Sequence, residues 1–334
     1  MIEKYLVTIG ITTYNSNLSY LSKAIDSAIQ QTYRNIEIII FDDGSRNVGE
    51  IENLIKNKKD KRITFLKTEI NSGVSNSLNN IISFSKGDYF SWCPDDDYMH
   101  LSKIELQVRS LESEPQSISI CNHFQVLDIF NMKRMIKHAF YLKFVDIFLY
   151  LVTFDRINGG SLLIPTSMLK DKKFNLSLKH VQDYDMWIKL FYKSKHVYLN
   201  KALFYSRQHS KQASNSDKKK ALEEISKFYL DFFKNNMHNL IYYFGKRTYL
   251  LIIMSFKFRN INTIVDYFTN KKNCQKYFLN FFNKKKILFS LIYLFKFLGN
   301  ILFFVREIKN FILYKILLRL FKVNFLALNK NEKF

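Results

Sequence analysis

TIGITTYNSNLSYLSKAIDSAIQQTYRNIEIIIFDDGS, residues 8–45, decides the fold. It begins inside one continuous apolar run, Leu6 to Thr12, and closes on another, Ile36 to Phe41. Runs without polar alternation are what strands buried on both faces need. Between them Leu21, Ala24, Ile25 and Ala28 recur at helical spacing, which predicts a helix over Leu18 to Gln30. Strand, helix and strand in this order predict a parallel pair with a covering helix.

Working outward, the pattern repeats as strand Ile63 to Leu66, helix Val74 to Ser85, strand Tyr89 to Cys93, helix Leu101 to Leu111 and strand Ser117 to Cys121. The expected class is α/β, a Rossmann-like, mostly parallel sheet flanked by helices. Ligands of such sheets sit beyond the carboxyl ends of the strands. Asp42 and Asp43 follow one strand there, and Asp95, Asp96 and Asp97, in SWCPDDDYMH (91–100), follow another. The pair in FDDGS reads equally well as turn chemistry, since aspartate bonds nearby backbone N–H groups. Three consecutive carboxylates repel one another unless a cation lies among them. A hard divalent ion, Mg²⁺ or Mn²⁺, suits carboxylate oxygens and keeps positions open for phosphate oxygens.

The 334-residue chain is 47% hydrophobic and 24% charged, which excludes a disordered chain and allows roughly two domains. Cys93, Cys121 and Cys274 are too few and too widely spaced for a disulfide framework or a zinc site, and fit a reducing compartment. The N-terminus reads as a first strand rather than a signal peptide. The formal net charge is +22, and residues 218–334 hold 23 Lys and Arg against 6 Asp and Glu, or +17, which leaves +5 for residues 1–217. The polar stretch SRQHSKQASNSDKKK (206–220) marks the transition. Two regions are therefore expected: a ligand-binding domain over 1–215 and a basic helical region over 216–334.

Several motifs in the first region carry a family resemblance. The quoted stretch, followed by NSGVSNSLNNIISFSKGDYFSWCPDDDYMHLSKIELQ (71–107), resembles glycosyltransferase family 2, the inverting group with the GT-A fold, over residues 5–215. The resemblance implies a UDP-sugar donor and Mn²⁺ or Mg²⁺. It places Thr12, Thr13, Tyr14, Asn15, Asp43, Asn71 and Asp95 around the nucleotide. Asp96 then matches the principal metal aspartate, with Asp97 as a second ligand or sugar contact. His209, in an R-x-H segment with Arg207, adds a metal ligand, and Arg207 neutralises diphosphate charge.

In IPTSMLKDKKFNLSLKHVQDYDMWIKL (164–190), Asp183 falls at the position of the general base, with Gln182 in place of the usual glutamate. Read without the resemblance, Asp183 is a carboxylate favoured by a helix N-terminus. Gly159, Gly160 and Ser161 fit a close approach of backbone to sugar or acceptor, or a tight structural turn. Two departures stand out. Pro94 occupies the first aspartate position of D-x-D-D, and Leu78 replaces an arginine found in many relatives.

The basic region suggests where catalysis occurs. Ile287 to Val305 has Lys296 as its one charge, and Lys315, Arg319 and Lys322 follow within a Phe- and Leu-rich segment. That pattern describes a helix lying on an anionic membrane surface. A span, or a helical subdomain packed on the catalytic domain, is the alternative. The Lys, Asn, Phe and Ile bias suggests a low-GC bacterial genome. With a membrane-apposed transferase, the expected acceptor is a membrane-bound glycan and the expected context is bacterial surface-glycan assembly on the cytoplasmic face of the inner membrane. A nucleic-acid binder is disfavoured, because the cations alternate with long aliphatic runs instead of exposed stacking aromatics. A non-catalytic sugar-nucleotide scaffold is the other rival.

Overall fold

The computed structural model describes residues 4–127, 132–136, 157–192, 194–209, 219–232 and 235–236. The chain divides after Glu224. Cys274 and the segments 287–305 and 315–322, on which the membrane expectation rests, lie outside the described residues. Among the described residues no helix is long and apolar enough to cross a membrane.

The first part is built on β1 (Val7–Thr13), α1 (Leu18–Ile29), β2 (Ile36–Asp43), α2 (Val48–Lys58), β3 (Ile63–Thr68), α3 (Val74–Phe84) and β4 (Tyr89–Trp92). A short β5 (Tyr98–Met99), α4 (Lys103–Ser110), β6 (Ile118–Leu127) and β7 (Met132–Ile136) follow. Then come β8 (Leu162–Pro165), α5 (Thr166–Lys172), α6 (Gln182–Phe191) and β9 (His196–Gln208). The sheet runs β3-β2-β1-β4-β8-β6-β9-β5, with β7 against β6.

All seven residues of β1 are buried, so its apolar run has no solvated face. Ile9, Ile11, Ile38 and Ile40 meet Leu21, Ala24 and Ile25 of α1 in one core. Truncating any of these isoleucines to alanine costs about 2–5 kcal/mol. α1 starts where it does because Asn17 Oδ1 accepts the N–H groups of Ser19 (2.9 Å) and Tyr20 (3.4 Å).

The expected parallel pairing holds for β3-β2-β1-β4. Beyond β4 the sheet is mixed: β4–β8, β8–β6 and β5–β9 are antiparallel, and β6–β9 is parallel. Those pairings join segments distant in sequence, which local periodicity does not report. The sequence reading does not mark α2, β5, β7, β8, α5 or β9, and two of these are instructive. α2 fully buries Ile51 and lays Leu54 and Ile55, partly buried, against the same core, a short stripe that the sequence reading does not mark. β9 is interrupted by exposed Asn200 and Lys201 and crosses a register shift against β6, which breaks the strand pattern. It ends at Gln208, inside the stretch expected to be loop, and so delivers Arg207 and His209 to the end of the sheet.

Candidate active site

Adjacent strands β2, β1 and β4 end together, and their end loops are tied by side chains. After β1, Asn15 takes a left-handed conformation (φ 49°). Its N–H donates to Ser45 Oγ (2.7 Å), and its Oδ1 accepts the Arg46 N–H (2.9 Å). Thr13 and Ser16 hydroxyls lie 2.5 Å apart, and Ser16 donates onward to Asp95 Oδ2. Trp92 Nε1 donates to Thr12 Oγ1 (3.2 Å). Tyr14 projects outward and is 48% exposed.

After β2, the buried Asp43 carboxylate accepts the N–H groups of Ser72 (3.0 Å) and Gly73 (2.7 Å), anchoring the loop that carries Asn71. Gly44 has φ +78°, and a Cβ there would stand 2.9 Å from Asn71 N, so only glycine fits this corner. Asp42 accepts the Ser45 N–H through Oδ2 (2.9 Å), while its buried Oδ1 has no partner among the described residues.

The three aspartates diverge. Asp97 turns inward, and its Oδ1 accepts the Arg207 N–H (2.7 Å). Asp95 is held by Ser16. Asp96 Oδ2 alone meets an imidazole, His209 Nε2, at 3.1 Å. Arg207 is buried, with Nε donating to the Asp96 carbonyl (2.9 Å) and its guanidinium 4.1 Å above the Tyr20 ring. Arg207 thus fixes the aspartate loop, and Asp97 is turned away from the Asp96–His209 pair with which it was grouped as a metal ligand. Among the described residues no three His, Cys, Asp or Glu side chains converge as a ready metal cage. One carboxylate and one imidazole do fit a divalent ion that leaves most positions to diphosphate and water.

The electrostatics agree with an acidic site short of positive charge. Burial, then the neighbouring Asp96, push Asp95 up to about 7 against the pull of the Tyr14 N–H. The same two causes push Asp97 well up, opposed by the Arg207 N–H. A carboxyl raised in the fold contributes stability that is complete below its unfolded pKa and lost as pH rises through the folded value. His123, lowered to about 4 by burial, acts oppositely below pH 6.5, and Lys103, lowered to about 8 by burial, acts oppositely above pH 8. Asp95 gives up its contribution between about pH 4 and about 7, and His123 stops opposing it at pH 6.5, so the metal-free protein is expected to lose Tm between pH 6.5 and about 7. Mn²⁺ with UDP should close that gap in a thermal-shift titration, and a Tm that rises across this window contradicts the assignment.

The family profile described as "Glycosyl transferase family 2" matches residues 8–168. An uncharacterized glycosyltransferase of Rickettsia prowazekii is 35% identical over 234 residues, 67% of this chain and 69% of the relative. This chain belongs to glycosyltransferase family 2. It is an enzyme, a glycosyltransferase. The Escherichia coli UDP-Glc:alpha-D-GlcNAc-diphosphoundecaprenol beta-1,3-glucosyltransferase WfaP is 30% identical over 193 residues, 56% of this chain and 71% of the relative. The fold is shared with the mannosyltransferase PcManGT of Pyrobaculum calidifontis, solved with GDP-Man and Mn²⁺, at a TM-score of 0.53 and 11% identity over 82% of this chain and 83% of that one.

In this glycosyltransferase Asp183 occupies the first turn of α6, and its Oδ1 accepts the Tyr184 N–H (2.9 Å). Gln182 precedes it, with a buried Oε1 that has no partner among the described residues. Trp187, one turn on and on the same face, is 2% exposed. A Cβ on Gly159 would lie 2.6 Å from Trp92 and 3.0 Å from Trp187, so the glycine is where the end of β4 meets the Asp183 face of α6. A Cβ on Gly160 would lie 2.1 Å from the Phe204 ring. Gly159, Gly160 and Ser161 are all buried, so this turn is packed among aromatic rings. Leu78 is buried in the same neighbourhood, lining a small cavity with Trp92, Phe174 and Trp187, which leaves no room for arginine.

Ser16, Tyr20 and Lys103 were not singled out in the sequence. Lys103 is fully buried and donates to Ser91 Oγ (2.7 Å) and the Leu162 carbonyl (3.4 Å). In the sequence it reads as the solvated start of an ordinary helix, and no local signal marks it otherwise.

Proposed function

We propose that this glycosyltransferase moves a hexose from a UDP sugar to a hydroxyl of a membrane-bound glycan, with inversion at the anomeric carbon and with Mn²⁺ or Mg²⁺. Glucose and galactose are the favoured donors, N-acetylated forms included. The observation that carries the reading is the Asp96 carboxylate 3.1 Å from the His209 imidazole, between the ends of β4 and β9 and beside the Asn15–Asp43 loops. Asp96 and His209 would hold the divalent ion, whose chemistry is to neutralise charge on the leaving diphosphate.

Asp43 and Asn71 hold the base, while Thr12, Thr13, Tyr14, Asn15 and Asp95 line the rest of the nucleoside. Arg207 acts on the diphosphate through the aspartate loop that it braces. Asp183 takes the proton of the acceptor hydroxyl. That oxygen attacks the anomeric carbon from the face opposite the nucleotide as the bond to diphosphate breaks. Gln182 and the turn Gly159, Gly160 and Ser161 shape the wall on the sugar and acceptor side. WfaP supports the donor and a polyprenyl-linked acceptor by likeness, and PcManGT supports a divalent ion by likeness.

Residues 1–215 form the catalytic domain in this reading. Residues 216–334 hold it peripherally on the cytoplasmic face of a bacterial inner membrane. The test is a screen of UDP and GDP sugars with Mn²⁺ or Mg²⁺, scored by donor hydrolysis and thermal shift. UDP-glucose or UDP-galactose should turn over, and metal should be required. Tight UDP binding with no turnover of any donor, even with polyprenyl-linked acceptors added, favours the scaffold instead.

A further inference from the structure

We infer that Glu224 is the positioning residue of the catalytic base, an inference that rests on the reading of Asp183 above. Glu224 lies in a helical stretch, 219–232, far from α6 in sequence and amid Lys218, Lys219, Lys220 and Lys227. Its Oε1 accepts three successive backbone N–H groups, those of Lys179 (2.9 Å), His180 (2.8 Å) and Val181 (3.2 Å). Three consecutive N–H groups aimed at one oxygen form an anion nest, and here the anion is supplied by the protein itself.

The place of the nest gives it a role. Val181 is the residue at the N-terminal boundary of α6 and has no side-chain oxygen with which to cap it. The first helical bond of α6 runs from the Asp185 N–H to the Val181 carbonyl (2.9 Å). Fixing residues 179–181 therefore fixes the first turn, and Asp183 stands two residues beyond Val181. Asp183 also spends Oδ1 on its own helix, at the Tyr184 N–H, so its direction follows the backbone of that turn. Without Glu224 the nest opens to water, α6 keeps its buried face, and the base loses its aim.

The acceptor oxygen, rather than the charge, is what the choice of variant tests. Glu224→Gln keeps an acceptor oxygen at the same reach, and Glu224→Ala removes it. With the full chain, the donor sugar that turns over and Mn²⁺, Glu224→Ala should lower kcat by about tenfold to a hundredfold. Donor KM and the UDP-induced thermal shift should stay within about twofold, and Glu224→Gln should recover most of the rate. Amide hydrogen exchange should accelerate at residues 179–181 in Glu224→Ala and not across β1 or β2.

Unchanged exchange at 179–181 overturns the inference whatever the donor. So does wild-type kcat in Glu224→Ala, or a parallel loss of UDP binding and rate in both variants. Asp183→Asn run alongside keeps the two ideas apart. If Asp183→Asn is inactive while Glu224→Ala is normal, only the tether falls; if Asp183→Asn is active, the base assignment falls and the tether with it.

Discussion

Replacing Asp183 with Asn is expected to lower kcat by about 10²–10⁴-fold, the range typical of removing a general base. The amide keeps the size of the side chain and still accepts the Tyr184 N–H, so α6 should fold unchanged. Donor KM and UDP binding should be unaffected, because the proton is removed from the acceptor and not from the nucleotide. The loss should flatten the acidic limb of the pH–rate profile. The check is steady-state kinetics with saturating donor. Retention of more than about a third of the wild-type kcat removes Asp183 from the chemistry and returns it to the role of a helix-start carboxylate.

Replacing Asp96 with Asn should act at the opposite end of the reaction. Asp96 is the aspartate of the trio that meets His209, while Asp95 and Asp97 are turned to Ser16 and the Arg207 N–H. Removing its charge should abolish the stabilisation that UDP and Mn²⁺ give together, a linkage of about 2.7 kcal/mol at a hundredfold excess over Kd. The rate should fall by at least about 10²-fold, since a divalent ion contributes several kcal/mol to a developing negative charge. Asp97→Ala should instead weaken the loop, by removing the oxygen that accepts the Arg207 N–H, and lower Tm without removing the metal response. A wild-type Mn²⁺ response in Asp96→Asn would falsify the assignment of the ion to this carboxylate.

Much of the site was legible because its framework is local. The apolar runs of β1 and β2, with one amphipathic helix between them, specify their own pairing, and the acidic residues close β2 and follow β4. The opposite wall was legible only through the family resemblance, which names Arg207 and His209 without the contacts that bring them in. His209 reaches Asp96 only because β9 runs on to Gln208 through a polar stretch that reads as loop. Which of three adjacent aspartates faces outward is decided by Arg207, a residue distant in sequence whose backbone N–H captures Asp97. Gly159 and Gly160 read equally as a close approach to sugar or as a tight structural turn, and the rings of Trp92, Trp187 and Phe204 lie where their Cβ atoms would stand. Those contacts are made by side chains that periodicity treats as interchangeable core. Glu224 left no trace in the sequence, being one carboxylate in a lysine-rich segment, and its value lies in three N–H groups that no motif displays.

The central claim is that Asp96 and His209 hold the ion that binds the donor diphosphate. Anomalous scattering at the manganese edge, from crystals of the full chain soaked with Mn²⁺ and UDP, tests it most directly. A peak about 2.1 Å from both Asp96 Oδ2 and His209 Nε2, in contact with the diphosphate, is the predicted result. A manganese peak elsewhere, or UDP bound with that pair still bonded to each other and no ion between them, contradicts it.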